Sequence, residues 1–243
     1  MSDDDVKKQL KRMTRRGFVV GATAAAAGIA TWKWTLSASR DGGAPWPFRR
    51  MLQFNEKLSR LYYRASRLTP ELTPADLTKL RVNGHQGLAP NYDVGAWRLR
   101  IEGAKSPVEL TIDDIKALPK REMITELKCI EGWSMVTKWT GVRLADLVAK
   151  HPPNGPMQYV AMETPGRGYY VGLDMESAIH PQTLLVWAMN DIPLDWHHGS
   201  PLRLAIPLKY GIKNIKRIGL IRYTNVRPPD FWGERGYDWY SGF

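Results

Sequence analysis

The sequence contains one cysteine, Cys129, whose thiol can serve in three ways. It can be buried as a small hydrophobic group, act as a nucleophile, or bind a metal as the thiolate. A single cysteine excludes an intramolecular disulfide and a zinc site built from several cysteines. Because soft metals tolerate thiolate ligands best, a soft metal is the favoured partner if the thiol is a ligand.

The residues around Cys129 favour a functional thiol over an inert one. Lys128 precedes it and Lys138 follows within ten residues. A nearby cation favours the thiolate, so we expect a lowered pKa. The segment 129–134, CIEGWS, is rich in functional groups and breaks at a glycine.

Short alternating segments of apolar and polar residues must position this thiol. Alternation predicts a strand that ends at Cys129, and Thr111 with Asp114 predicts a capped helix start. Other strands are predicted at 97–101, 159–163, 183–187, 202–206 and 218–223, and a short helix at 144–148. Many short strands with few short helices predict an α+β domain with mixed or antiparallel sheets. We find neither a dinucleotide-binding fingerprint nor a phosphate-binding loop.

Two segments precede that domain, which we place at residues 81–243. Residues 40–80 are predicted to form a helical lead-in arm, because Phe54, Leu58, Leu61 and Tyr62 recur at helical spacing. Residues 14–20, TRRGFVV, resemble a twin-arginine export signal, and an apolar run follows. We therefore predict a signal segment at 1–39 and a periplasmic location, with a retained membrane anchor or an ordinary amphipathic start as alternatives.

The formal net charge of +11 fits nucleic acid, anionic lipid or a small anionic ligand. Zinc-finger spacing is missing, and no run of basic residues occurs beyond the N-terminus. We therefore expect no nucleic-acid partner.

Two sequence blocks resemble the sulfite oxidase family of molybdopterin oxidoreductases, and within it the periplasmic methionine-sulfoxide reductase branch. The first is 126–134, ELKCIEGWS, followed by WTGV at 139–142. The second, about 70 residues later, comprises 198–204, HGSPLRL, and 209–216, KYGIKNIK. The resemblance, which runs from about 83 to 229, implies a sulfite-oxidase-type molybdopterin-binding fold with a molybdenum–molybdopterin cofactor.

The resemblance also implies roles for individual residues. Cys129 would bind molybdenum, and Tyr169 would lie near the open face of the metal, with Tyr170 as the fallback. Arg203 would offer a planar fork to phosphate oxygens, and Lys213 a point charge. The other implied cofactor contacts are Asn83, His85, Thr164, His198 and the backbone N–H groups of Gly211 and Ile212.

Departures from the family pattern indicate which substrate and which redox partner to expect. Ser134 occupies the place of an arginine that helps sulfite oxidases bind their anionic substrate, which disfavours sulfite. Gln86 and Gly87 replace a tyrosine and a glutamate of the reductase. The chain lacks a haem-binding histidine motif and room for the family's dimerisation domain. We therefore expect a monomer without haem that exchanges electrons with a separate partner, which in the reductase is a membrane haem protein.

These observations favour oxygen-atom transfer, in the direction that reduces an S-oxide or N-oxide such as methionine sulfoxide. Sulfite-oxidase-like oxidation is one alternative. A non-catalytic cofactor-binding protein of the same fold is another. A thiol enzyme with Cys129 as nucleophile is the third, and it needs a histidine base near the thiol.

Overall fold

The computed structural model describes residues 3–242. Five α-helices occur in this range: α1 (Asp3–Ser37), α2 (Trp46–Tyr62), α3 (Ile112–Lys116), α4 (Leu144–Lys150) and α5 (Met175–Ala178). Single 3-10 turns lie at Pro74–Asp76, Pro165–Arg167, Gly211–Lys213 and Gly233–Arg235. Residues 14–20 belong to α1. Within 3–242, no helix is both long enough and apolar enough to cross a bilayer.

Two five-stranded sheets form the body of the protein. The strands are β1 (Arg40–Asp41), β2 (Ala44–Pro45), β3 (Leu99–Glu102), β4 (Val108–Leu110), β5 (Lys120–Lys128), β6 (Ser134–Arg143), β7 (Tyr159–Glu163), β8 (Tyr170–Asp174), β9 (Leu184–Met189), β10 (Ile192–Pro193), β11 (Arg203–Ala205) and β12 (Leu220–Thr224). One sheet has the order β10-β9-β6-β5, with β11 also paired to β9. The other has the order β4-β3-β12-β7-β8.

The pairing of the strands confirms the predicted α+β class with mixed sheets. Strands β3 and β12 are parallel, whereas the other pairings in the two sheets are antiparallel. The predicted cap of α3 is also present. Thr111 Oγ1 accepts a hydrogen bond from the Asp114 backbone N–H, and the Asp114 carboxylate accepts one from Thr111.

The core is built from the alternating residues that predicted the strands. Leu99, Ile101, Val160 and Met162 are almost fully buried, as expected for the inner faces of β3 and β7. Trp97 is buried beside them, and its indole N–H donates to the Ile218 carbonyl oxygen at 2.9 Å. This packing holds β3 next to β12 and so brings residues near 100 and 220 together.

Helix α2 contains Phe54, Leu58, Leu61 and Tyr62, whereas the only helical structure at residues 63–80 is the 3-10 turn Pro74–Asp76, so the helix is shorter than the predicted arm 40–80. All four side chains are nevertheless exposed, at 53, 40, 70 and 69%. The apolar stripe of this helix therefore faces away from the domain.

Candidate functional site

Cys129 lies in the turn of the β5–β6 hairpin. Strand β5 ends at Lys128, and Ser134, the first residue of β6, pairs with Lys128. The Cys129 N–H donates to the Trp133 carbonyl oxygen at 2.9 Å, and the Gly132 N–H donates to the Cys129 carbonyl oxygen at 3.2 Å. Gly132 has a φ of +85°, which glycine adopts without a steric penalty. This turn fixes the backbone that carries the thiol.

The thiol lines a cavity of about 310 Å³, a size typical of small-molecule sites. Four parts of the chain form the wall: residues 81–86, the β5–β6 hairpin, the region 203–216, and a group made by Tyr169, Trp232 and Tyr237. Six of the predicted site residues meet there: Asn83, Cys129, Tyr169, Arg203, Gly211 and Ile212. The fold therefore brings together residues from both sequence blocks.

Burial raises the pKa of the Cys129 thiol, and the Glu131 carboxylate raises it further. The prediction that Lys128 and Lys138 favour the thiolate is therefore wrong. Lys138 forms ion pairs with Glu122 at 3.1 Å and Asp191 at 2.7 Å. Lys128 Nζ lies 3.6 Å from a Glu126 carboxylate oxygen, since residues two apart in a strand share a face.

Arg203 places a buried guanidinium in the cavity wall. Its side chain is 3% exposed, and burial lowers its pKa to about 10. Its Nε has no hydrogen-bond partner within residues 3–242. Its Nη1 has only distant acceptors, the His198 carbonyl oxygen at 3.4 Å and the Met189 sulfur at 3.5 Å. A buried charge with unused donors fits an anionic ligand.

His198 lies beside Arg203 with one ring nitrogen free. Its Nδ1 is 2.8 Å from an Asp195 carboxylate oxygen. Its Nε2 is buried without a hydrogen-bond partner among the described residues. Burial lowers the pKa of the ring, which favours the neutral imidazole. His198 is not part of the cavity wall, so it stands behind Arg203 and not at the cavity surface.

Lys216, rather than Lys213, supplies the second cation of the cavity wall. The Lys213 ammonium is fully buried elsewhere, bonded to Asp230 Oδ2 at 2.5 Å and the Gly172 carbonyl oxygen at 2.8 Å. Lys213 therefore uses its charge within the core, and the predicted point charge at the cofactor is corrected to Lys216. Both lysines lie in the second sequence block, and spacing alone did not distinguish them.

The Lys216 ammonium also joins two loops. It donates to the backbone carbonyl oxygens of Asn83, Gly84 and His197 at 2.8–2.9 Å. Burial, together with the positive charge of Arg203, lowers its pKa to about 7. Arg81, at the start of the loop that contains Asn83, is a third cation of the wall and lies over the Trp133 ring at 4.5 Å.

Tyr169 lines the cavity with its phenol already engaged. The hydroxyl donates to the Ile212 carbonyl oxygen at 2.5 Å. The ring is 8% exposed, and burial raises its pKa well above the usual value, so the phenol stays protonated. The alternative, Tyr170, bonds instead through its hydroxyl to Glu234 and is not part of the cavity wall.

The remaining predicted contacts lie at or beyond the cavity edge. Asn83 lines the cavity, and its side-chain amide donates to Glu131 at 3.3 Å. Thr164 is buried behind the wall, with its hydroxyl bonded to the Tyr169 backbone at 3.0 and 3.2 Å. His85 is exposed and pairs with His197, with 3.2 Å between ring nitrogens.

The wall provides the donor set that a molybdopterin requires. A thiol suits a soft metal, the unused donors of the Arg203 guanidinium suit phosphate oxygens, and the Lys216 ammonium adds positive charge beside them. Gly211 lies against the Cys129 hairpin, since a Cβ there would be in van der Waals contact with Leu127 Cδ2 at 3.4 Å and Cys129 Cα at 3.8 Å. The residues present therefore fit a group with a metal at one end and an anion at the other.

Comparison with known proteins also points to a molybdopterin. The sequence model of the family described as oxidoreductase molybdopterin binding domain matches residues 85–232. The protein-methionine-sulfoxide reductase catalytic subunit MsrP of Xanthomonas campestris is 36% identical over 59% of this chain and 50% of its own length. The MsrP subunit of Campylobacter jejuni is 34% identical over 60% of this chain and 54% of its own length.

Two further similarities agree with this. A putative protein-methionine-sulfoxide reductase subunit, YedZ1, of Azospira oryzae is 34% identical over 62% of this chain and 57% of its own length. The sulfane dehydrogenase SoxCD of Paracoccus pantotrophus has a similar fold, with a TM-score of 0.53 at 18% identity, over 56% of this chain and 40% of that one.

The chain spans about half the length of the curated relatives that it matches. The region matched by the family model nevertheless covers more than half of this chain. It contains all the wall residues between Leu127 and Lys216. The chain therefore belongs to the sulfite oxidase family of molybdopterin-binding oxidoreductases.

Proposed function

We propose that this chain is an oxidoreductase that binds a molybdenum–molybdopterin cofactor through Cys129 and reduces S-oxides such as methionine sulfoxide. One observation carries the proposal: the only thiol and the unsatisfied guanidinium of Arg203 line the same cavity. The sequence similarity to methionine-sulfoxide reductase subunits supports the choice of reaction.

The cations of the wall would hold the pterin phosphate. Arg203 has an Nε without a partner among the described residues and an Nη1 with only long contacts, so its guanidinium has donors left for phosphate oxygens. Lys216 adds a second charge, and the N–H groups of Gly211 and Ile212 border the same space. When bound, the cofactor supplies oxygen-atom transfer, in which a sulfoxide takes up two electrons and two protons to give a sulfide and water.

Cys129 must lose its proton to bind a metal. Because burial and Glu131 raise the pKa of the free thiol, metal binding itself has to displace this proton. The turn hydrogen bonds of Cys129 hold the thiol in place for this step. A nucleophilic cysteine needs a lowered pKa or an adjacent histidine base. The pKa of Cys129 is raised, and none of the residues that line the cavity is a histidine, which favours a ligand cysteine.

Tyr169 positions the cavity wall. Its hydroxyl donates to the Ile212 carbonyl oxygen and so holds the Gly211–Lys213 turn against β8. The raised pKa keeps the proton on Tyr169 Oη across the physiological range. The hydroxyl can donate to a substrate oxygen only if it first leaves Ile212.

The substrate preference rests on Ser134, which is exposed at the start of β6 and is not part of the cavity wall. Sulfite-like oxidation stays the second candidate, because Arg81 borders the cavity and could attract an anion. We further propose export by the twin-arginine route, on residues 14–20, to the periplasm. We also propose that the chain is a monomer without haem of its own and exchanges electrons with a separate membrane haem protein.

The proposal is tested with protein purified from a host that makes the molybdenum cofactor. We expect dithionite-reduced dye to support the reduction of methionine sulfoxide, and sulfite to give no turnover with an oxidised dye. A screen of other S-oxides and N-oxides then ranks the substrates. Turnover of sulfite without turnover of any sulfoxide would overturn the proposed direction.

A further inference from the structure

Helix α2 is docked on the domain by its polar side. Among its described side chains, the buried ones are Arg49 and Glu56, at 8 and 7% exposure. Met51, Phe54 and Leu61 are 59, 53 and 70% exposed. A surface helix of a soluble protein normally shows the opposite arrangement, with the apolar stripe facing the core.

Specific polar contacts fix this inverted orientation. The Arg49 guanidinium donates to the carbonyl oxygens of Asp41, Gly42, Gly233 and Tyr237. These contacts join α2 both to the preceding hairpin and to the C-terminal segment. Turning the apolar face inward would leave these buried groups without hydrogen-bond partners, which is unfavourable.

The Glu56 carboxylate is a second polar contact that holds α2 on the domain, on the side of the helix opposite the apolar stripe. It lies 2.6 Å from Arg227 and 3.2 Å from Arg60. Glu56 is also the only acidic residue of α2. Its charge is therefore neutralised against the domain, and none of the acidic charge of α2 reaches the outer face.

The outer face is bordered by basic and aromatic side chains. Arg50 and Lys57 are exposed on α2, and Arg64 and Arg67 follow in the next turns of the chain. Tryptophan side chains of α1 and α2 meet at the start of the helix, with the rings of Trp34 and Trp46 5.8 Å apart. Basic residues beside an apolar stripe, with tryptophan at its end, are typical of helices that lie in a bilayer interface.

We infer that α2 binds flat on the surface of an anionic phospholipid bilayer. Met51, Phe54, Leu58 and Leu61 would enter the boundary between head groups and acyl chains. The basic side chains would contact the negative head groups and add an electrostatic attraction. The exposed part of α2 has basic residues and no exposed acidic residue, which favours anionic lipid over a protein surface of mixed charge.

The test follows the oxidation of Met51. Because Met51 belongs to α2, its oxidation reports on the exposure of α2 and not on membrane binding by α1. The full-length protein is treated with dilute hydrogen peroxide, and oxidation of each methionine is followed by mass spectrometry. We expect vesicles of phosphatidylglycerol and phosphatidylethanolamine to slow Met51 oxidation at least about fivefold, since an interfacial face leaves water. Phosphatidylcholine vesicles should have a smaller effect, and Met157 should be unaffected by either.

A matched pair of double variants completes the experiment. Phe54→Gln/Leu61→Gln should abolish the protection of Met51. Ile192→Gln/Val226→Gln removes two exposed apolar side chains elsewhere, at 63 and 77% exposure, and should leave the protection intact. Equal oxidation of Met51 with and without anionic vesicles would overturn the inference. Protection only by native membranes that contain a partner protein would overturn it too, and assign the face to that protein.

Discussion

At the scale of single residues, charge and burial decide what the cavity can bind. Arg203 and Lys216 bring two cations into a wall with limited access to water, and both have pKa values lowered by burial. Such groups are costly unless an anion compensates them. The wall therefore gains most from a ligand that carries negative charge next to Arg203.

The two lysines of the second block should respond differently to substitution. Lys216→Met removes a cavity cation, so we expect molybdenum retained per folded chain to fall at least about tenfold, by analogy with lost ligand-shell contacts. Lys213→Met leaves Asp230 buried and unpaired, so it should lower the free energy of unfolding by about 3–5 kcal/mol. Metal analysis and urea unfolding measure both effects. Folded Lys213→Met protein without metal, beside fully loaded Lys216→Met, would contradict the assignment.

Anion binding to cofactor-free protein should weaken as pH rises. The pKa of Lys216 is about 7, and a bound anion favours its charged form and so raises this pKa. Binding therefore takes up a proton above pH 7, and affinity should fall by up to about tenfold per pH unit there. Calorimetry with sulfate, whose charge is constant from pH 6 to 9, checks this. The Lys216→Met variant should show a flatter profile; an identical slope in both proteins would exclude Lys216 as the titrating group.

At the scale of elements, alternation of apolar and polar residues predicted β3, β5, β7, β9, β11 and β12, but not β6, which forms the second half of the Cys129 hairpin. Strand β7 and the capped helix α3 agree with the prediction. Strand β8 was missed, because its residues from Val171 to Asp174 are buried on both faces and show no alternation. The outward stripe of α2 could not be predicted either, because helical spacing does not say which face is docked.

The docking of α2 can be tested at two adjacent arginines. Arg49→Met leaves four carbonyl oxygens without their donor, so we expect a loss of about 2–4 kcal/mol in the free energy of unfolding. Arg50→Met is the matched control, since Arg50 is exposed. Its guanidinium donates a hydrogen bond to the Gln53 side chain at 3.3 Å. This substitution should change stability by less than about 0.5 kcal/mol. Equal effects of the two substitutions would show that Arg49 does not hold the helix.

At the scale of the whole molecule, the cavity depends on contacts between distant parts of the chain. The Lys216 ammonium reaches the carbonyl oxygens of Asn83 and Gly84, more than 130 residues earlier. The two sequence blocks predicted that Cys129 and Arg203 belong to one site. They did not predict that Thr164 lies behind Tyr169, since that follows from how the loops pack around both sheets.

The bond between molybdenum and Cys129 is the central claim, and X-ray absorption at the molybdenum edge tests it most directly. Protein from a cofactor-competent host should contain close to one molybdenum per chain. The Cys129→Ser variant, shown to be folded by circular dichroism, should have one sulfur neighbour fewer around any metal it retains, and no sulfoxide turnover. The same sulfur count in both proteins, or full turnover by metal-free wild-type protein, would contradict the account.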